Sequence, residues 1–168
     1  ELAPRRQQRH TRSGHEQAEE SSLPAPVDWA ELFATDSSDH LWLVDDLWPD
    51  GRQIHIFAKA KTGKSLVMLW MAANLANGHD PFTGQPVEPK RVAYLDFEMT
   101  ADDLRERLED MGFGPDVLAN LVYYLLPLMP PLNTEAGGRR LVQLLERDRA
   151  EVVVIDTFSC VVDGEENS

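Results

Sequence analysis

A short segment of this sequence, residues 58–65 (Ala-Lys-Ala-Lys-Thr-Gly-Lys-Ser), has the residue types needed to hold phosphate groups. It follows a β-rich run at residues 53–57 and opens a long apolar stretch that is predicted to be helical. The N–H groups at a helix N-terminus carry partial positive charge and attract phosphate oxygens. We therefore expect Gly63 to let the backbone curl round a phosphate, Lys64 to reach the β- and γ-phosphates, and the Ser65 hydroxyl to ligate magnesium.

One position of this segment departs from the usual phosphate-loop pattern. The pattern begins with glycine, and here that position is Ala58. Alanine resists positive φ, so it fits if the backbone at this point stays at negative φ and otherwise lowers the affinity for phosphate. The alternative interpretation is an ordinary strand-to-helix turn in which a lysine and a serine begin the helix.

A carboxylate, Asp156, ends a later apolar run at residues 151–156. In a protein with a phosphate loop, an aspartate at this place lies across from the loop and holds magnesium, usually through water. Many strands end in aspartate, so the pattern is informative only together with the loop. The alternative role for Asp156 is to cap the turn that follows the strand.

Two further carboxylates, Asp96 and Glu98, lie at the end of another apolar run. Because strand residues two apart share a face, we expect both side chains to project to the same side. Glu98 would lie at the C-terminal end of its strand, where open parallel sheets bind ligands, and could orient or deprotonate a water molecule that attacks the γ-phosphate. Alternatively, Glu98 is a negative charge beside Thr100 at a helix N-terminus. Asp96 is expected to support the site and not to catalyse.

The elements that must position these residues alternate along the chain. Nearly continuous apolar strands that alternate with helices predict an α/β fold with a mostly parallel sheet and helices on both faces. Asp28 is a candidate cap for a short helix with Trp29, Leu32 and Phe33, and residues 40–44 are predicted as a short strand or a buried turn. The other predicted helices cover 64–77, 100–111 and 135–150, and the other predicted strands cover 53–57, 91–97, 121–126 and 151–156.

Length, net charge and cysteine content further limit the classes of protein to which this chain can belong. The 168 residues suffice for one domain, and the formal net charge of −13 argues against unaided tight binding to a polyanion. The single cysteine excludes a disulfide framework and a multi-cysteine metal site. Residues 1–25 are polar and are predicted to be disordered. No apolar run approaches the ~20 residues of a membrane span and no secretory leader is recognisable, so we expect a cytoplasmic protein without membrane contact.

Three stretches, residues 57–66, 92–100 and 153–158, resemble the RecA-like ATPases and are most similar to the RepA-like helicase group of the AAA-family ATPases. Residues 42–51 and 163–168 also resemble that group. The resemblance implies ATP and Mg²⁺ as ligands, Glu98 as the catalytic residue, and Ser65 and Asp156 as the magnesium residues. The nucleotide-binding residues that it implies are Ala58, Lys59, Ala60, Lys61, Thr62, Gly63, Lys64, Ser65 and Leu66.

The resemblance also carries expectations about the whole protein. It implies a homo-oligomer, usually a hexameric ring, in which ATP hydrolysis drives movement on single-stranded DNA. It places one more strand, after Ser168, between the Asp156 strand and the loop strand. We therefore expect residues 26–168 to be the N-terminal part of a RecA-like ATPase domain, truncated before its central strand, marginally stable and inactive alone. The alternatives are a RecA-like regulatory or recombination ATPase that does not unwind DNA, and a nucleotide sensor without turnover.

Overall fold

The computed structural model describes residues 26–34, 41–59 and 61–157. The chain divides into two units, residues 1–40 and 41–168. In the first unit, helix α1 (Trp29–Ala34) begins after Asp28, whose carboxylate accepts hydrogen bonds from the backbone N–H groups of Ala30 and Glu31. The short helix and its predicted cap are confirmed. The polar segment 1–25, the residues 163–168 that carry part of the resemblance, and Ala60 lie outside the described residues.

The second unit begins with a small antiparallel hairpin of strands β1 (Trp42–Val44) and β2 (Trp48–Pro49). Trp48 is buried, and its indole N–H donates to the carbonyl of Arg52 at 2.9 Å. Leu43 and Val44 join Trp48 in the main hydrophobic core. The short strand predicted near residues 40–44 is confirmed, and it anchors the chain that leads to the phosphate loop.

The centre of the second unit is a parallel sheet with the strand order β4-β3-β5. Its strands are β3 (Val92–Asp96), β4 (Leu121–Leu125) and β5 (Val152–Asp156). All five residues of β3 are buried. Because alternate residues of a strand point to opposite faces, both faces of the central strand are covered.

Helices flank this sheet, as the alternating sequence pattern predicts. Helix α2 (Lys64–Ala76) contacts all three strands and buries Leu69, Met71 and Leu75. A 3₁₀ turn at Pro115–Val117 leads into β4. The other two helices are α3 (Ala101–Asp110), which begins at a Thr100 capping box, and α4 (Glu135–Asp148), which is capped by Thr134. The predicted α/β fold with a parallel sheet is therefore confirmed.

The strand predicted at residues 53–57 is wrong for this structure. The chain from Arg52 to Lys59 contains neither helix nor strand, and no described strand pairs with it. Phe57 is 87% exposed although its residue type favours a sheet. The composition of the segment indicates β propensity, but a strand also needs a neighbour for its backbone hydrogen bonds. In the described ranges, β3, β4 and β5 pair only with one another.

Candidate functional site

The phosphate-loop segment turns directly into the first residue of α2. Gly63 precedes the helix at φ 89°, a left-handed conformation that favours glycine, and no side chain caps the helix. The first N–H groups of any helix have no partner within the helix. The first turn of α2, which begins with Lys64, therefore presents donors of the kind that bind a phosphate oxygen.

The side chain of Lys64 folds back over this segment. Its ammonium donates to the carbonyl of Ala58 at 2.8 Å and to the carbonyl of Lys59 at 3.1 Å. The Thr62 hydroxyl also donates to the Lys59 carbonyl, at 2.8 Å. These contacts tie both ends of the segment together and place the cation at its centre. An ammonium has three donors, so a phosphate can be bound without breaking either contact.

The structure answers the conformational question raised by Ala58. Among the described residues other than glycine, positive φ occurs at Asp46, Lys61, Leu126 and Arg149, and Ala58 is not one of them. The alanine therefore fits its position without backbone strain. Of the residues between Ala58 and Gly63 that the structure describes, Lys61 is left-handed, at φ 60°, which residue type alone does not indicate.

Ser65 and Asp156, the two residues expected to hold magnesium, are brought together across 91 residues of chain. The Ser65 hydroxyl donates to Asp156 Oδ1 at 3.1 Å, and the other carboxylate oxygen, Oδ2, accepts from the Tyr94 hydroxyl at 2.8 Å. Ser65 begins a helix and Asp156 ends β5, so the contact fixes the loop against the C-terminal edge of the sheet. This is the edge at which open parallel sheets bind ligands.

The donor set fits magnesium better than a metal that needs a cage of protein ligands. Within residues 26–34, 41–59 and 61–157, no three histidine, cysteine or carboxylate side chains could hold one ion. Magnesium usually takes one or two carboxylates and completes its octahedron with phosphate oxygens and water. A single carboxylate, Asp156, beside a single hydroxyl, Ser65, matches that requirement.

Glu98 lies at the same edge of the sheet. The hydroxyl of Thr157, the residue after β5, donates to Glu98 Oε1 at 2.6 Å. The contact joins the ends of β3 and β5, and Thr157 is the direct neighbour of Asp156. Glu98 therefore lies beside the end of the strand that carries the expected magnesium residue.

Asp96 differs from the sequence expectation in one respect. The strand ends at Asp96, so strand alternation does not extend to Glu98 and gives no basis for the expectation that both side chains project to the same side. Asp96 is fully buried, and its carboxylate accepts from the backbone N–H groups of Glu98 at 2.8 Å and Met99 at 2.9 Å. These two contacts fix the turn that carries Glu98, and the supporting role of Asp96 in the site stays a prediction.

Two tyrosines, which the sequence did not single out, support both carboxylates. Tyr94 and Tyr123 stack with ring centroids 4.7 Å apart, and the Tyr123 hydroxyl donates to Asp96 Oδ2. Burial raises the pKa of both phenols, and Asp156 beside Tyr94 and Asp96 beside Tyr123 raise it further. Both hydroxyls therefore remain protonated donors near neutral pH. Only the register that aligns Tyr94 with Tyr123 identifies them as a pair.

A phosphate loop between the hairpin and a helix, facing the carboxyl ends of a parallel sheet, defines the class of P-loop nucleotide-binding proteins. The AAA domain family matches residues 17–168, which is nearly the whole chain. This chain therefore belongs to the AAA domain family of P-loop ATPases. A search of the curated proteins found no match.

Proposed function

We propose that this chain binds ATP together with magnesium at residues 58–66 and hydrolyses the γ-phosphate. The observation that carries the proposal is the hydrogen bond of 3.1 Å between Ser65 and Asp156, at the point where Lys64 crosses the loop. Membership of a family of P-loop ATPases supports the same activity. A magnesium site requires that Ser65 and Asp156 meet, whereas a strand-to-helix turn without a ligand does not require this contact.

Each residue of the site has a role in this proposal. Lys64 and the first N–H groups of α2 bind the β- and γ-phosphates, and Ser65 and Asp156 hold the magnesium ion. When bound, that ion supplies positive charge against the phosphate oxygens. Glu98 orients the attacking water and accepts its proton, while Thr157 holds the Glu98 carboxylate through the bond of 2.6 Å.

Two substitutions test the proposal at different steps. Lys64→Ala should lower nucleotide affinity about 10-fold or more, since it removes a charge-assisted contact to phosphate. Glu98→Gln should keep nucleotide binding and reduce turnover by about 100-fold or more, as expected for loss of a general base. Arg105→Ala and Glu106→Gln, on the exposed face of α3, are matched controls and should change neither quantity. Unchanged affinity in Lys64→Ala would refute the proposed site.

We further propose that hydrolysis powers movement on single-stranded DNA by a homo-oligomeric ring. Support comes from the resemblance of residues 57–66, 92–100 and 153–158 to the RepA-like helicase group. The test is the rate of ATP hydrolysis with and without single-stranded DNA, followed by strand separation on a forked duplex. Stimulation without strand separation would favour a regulatory or recombination ATPase. A rate that is indifferent to DNA would remove the helicase proposal.

A nucleotide sensor without turnover is the second candidate function. Ala58 and the acidic charge are the features of the sequence that favour it, but an alanine without positive φ needs no strained backbone at this position. The remaining support is the acidic net charge of −13, which concerns the whole chain and not the site. Nucleotide binding with the same negligible turnover in the unmodified protein and in Glu98→Gln would favour the sensor.

A further inference from the structure

The stacked tyrosines differ in the carboxylate that each one serves. Tyr94 donates to Asp156, at 2.8 Å, and Tyr123 donates to Asp96. We propose that Tyr94 is a positioning residue, which holds Asp156 in the orientation that serves magnesium; this inference rests on the proposed magnesium site. Tyr123 lies in register with Tyr94 on the neighbouring strand and provides a natural comparison.

Tyr94 is suited to holding a carboxylate because its ring is enclosed by the core and stacked on a second ring. The residue is fully buried in the middle of β3 and belongs to the main hydrophobic core. One face of its ring stacks on Tyr123 with an angle of 12° between the planes. A ring enclosed in this way places its hydroxyl at a defined point. The only described acceptor of that hydroxyl is Asp156 Oδ2.

The contact divides the two oxygens of Asp156 between two donors. Oδ2 is anchored to the buried tyrosine, whereas Oδ1 faces the Ser65 hydroxyl at the start of α2. Loss of the tyrosine hydroxyl would let the carboxylate rotate away from Ser65. Hydrogen-bond partners of metal-binding side chains commonly alter metal affinity by 10- to 100-fold when they are removed. Tyr94 would therefore act on magnesium through Asp156 without touching the metal.

A purely structural role for Tyr94 makes a different prediction. If its hydroxyl only satisfies the partly buried Asp156 carboxylate, Tyr94→Phe and Tyr123→Phe should have similar effects on the Mg²⁺ midpoint, because each removes one hydroxyl bonded to one aspartate. Both changes keep the aromatic stack. A positioning role confines the magnesium effect to Tyr94→Phe.

The test titrates Mg²⁺ into the full chain in the presence of a fluorescent ADP analogue. Unmodified protein should show binding that depends on Mg²⁺, and failure here would contradict the proposed function itself. Tyr94→Phe should raise the Mg²⁺ midpoint about 10-fold, while its ADP affinity in EDTA stays unchanged. Tyr123→Phe should keep the unmodified midpoint. An unchanged midpoint in Tyr94→Phe, or equal shifts in both variants, would overturn the inference.

A second measurement does not depend on the folding of Tyr94→Phe. The chain has three tyrosines, so 3-fluorotyrosine labelling gives three fluorine resonances, and Tyr123→Phe and Tyr124→Phe identify the Tyr94 signal by elimination. Mg²⁺ with ADP should shift the Tyr94 resonance, because its acceptor Asp156 then bears a metal. ADP in EDTA should leave it in place. A Tyr94 resonance that ignores Mg²⁺ would refute the positioning role.

Discussion

At the scale of single residues, two positions of the phosphate loop that the sequence pattern treats alike differ in backbone conformation. The pattern prefers glycine both at the position of Ala58 and at Gly63. Only Gly63 has positive φ, at 89°, while Ala58 contributes its carbonyl to Lys64. The backbone therefore requires glycine at one of these positions and tolerates alanine at the other.

This difference predicts that substitution at Gly63 changes nucleotide affinity much more than substitution at Ala58. Gly63→Ala should weaken nucleotide binding by about 10-fold, because left-handed backbone costs a residue with a Cβ about 1–2 kcal/mol. A Cβ at Gly63 would meet no atom within 4 Å, so the effect would be conformational and not steric. Ala58→Gly should change affinity by less than about 3-fold, since a glycine adds only flexibility there. Titration of a fluorescent nucleotide measures both, and a large gain in Ala58→Gly would contradict the role assigned to φ.

At the scale of elements, helix α4 contains two adjacent glycines, Gly137 and Gly138, whose surroundings differ. A Cβ at Gly137 would lie 2.0 Å from the carbonyl oxygen of Pro131, whereas a Cβ at Gly138 would meet nothing within 4 Å. The Gly137 N–H also donates to the hydroxyl oxygen of the capping residue Thr134, at 3.1 Å. The first turn of α4 therefore packs closely against the loop that follows β4. Of the two glycines, only Gly137 makes this close approach.

Alanine substitution should consequently have opposite effects on stability at these two sites. Gly137→Ala should lower the free energy of unfolding by about 2 kcal/mol or more, as overpacking against backbone does. Gly138→Ala should raise it by about 0.5–1 kcal/mol, since alanine in a helix has less conformational freedom to lose. Urea unfolding followed by circular dichroism measures both changes. Equal effects would show that the contact with Pro131 does not limit packing.

The turn after α2 predicts a pH dependence of stability. The backbone N–H of Thr83, with further donation from the Thr83 hydroxyl and the Phe82 N–H, lowers the pKa of the buried Asp80 below its ordinary 3.8. A lowered pKa means that the carboxylate stabilises the fold above its unfolded pKa and loses this contribution as pH falls through the folded value.

Asp80→Asn tests this dependence because asparagine cannot carry the charge. The substitution should lower the free energy of unfolding by about 1.5–3 kcal/mol near neutral pH, which is the range for hydrogen bonds to a charged group. The difference from unmodified protein should shrink below about pH 4. Glu106→Gln, on the exposed face of α3, should show no such trend. A difference that stays constant with pH would refute the assigned cause.

At the scale of the whole molecule, the segments of the second unit differ in how far their backbone is paired with a neighbouring strand. Strand β3 pairs on both sides and is fully buried, whereas residues 53–57 pair with no described strand. The residue before the phosphate loop, Phe57, is 87% exposed. No described helix is long and apolar enough to cross a membrane. The loop thus follows a segment without described strand pairing and leads into α2, which packs on the well-paired sheet.

Hydrogen exchange should report this contrast directly. We expect the amides of β3 to exchange slowly and those of residues 53–57 to exchange near the rate of an open chain, because protection follows backbone pairing and burial. Mass spectrometry compares peptides from both regions, and a peptide that covers α3 serves as an internal reference. Protection of residues 53–57 equal to that of β3 would show that they pair with a strand.

Residue types and their order determined much of this protein. The segment 58–65, Glu98 and Asp156 identified the candidate site, and apolar periodicity predicted α2, α3, α4 and the three parallel strands. These features are local: a glycine before a lysine at a helix start, or an apolar run that ends in a carboxylate, follows from neighbouring residues. The strand at 53–57 failed for the complementary reason, since pairing needs a partner that local composition does not specify.

Tertiary structure alone decided how the site is supported. Packing of β4 and β5 on the two sides of β3 sets a register that places Tyr94 beside Tyr123 and Asp96 beside Asp156. Sequence spacing cannot reveal these pairs, because register depends on side chains that are far apart along the chain. The same packing brings Ser65 to Asp156 and turns Asp96 toward the backbone of Glu98. The chemical groups were therefore readable in the sequence, while their mutual orientation arises only when the strands align.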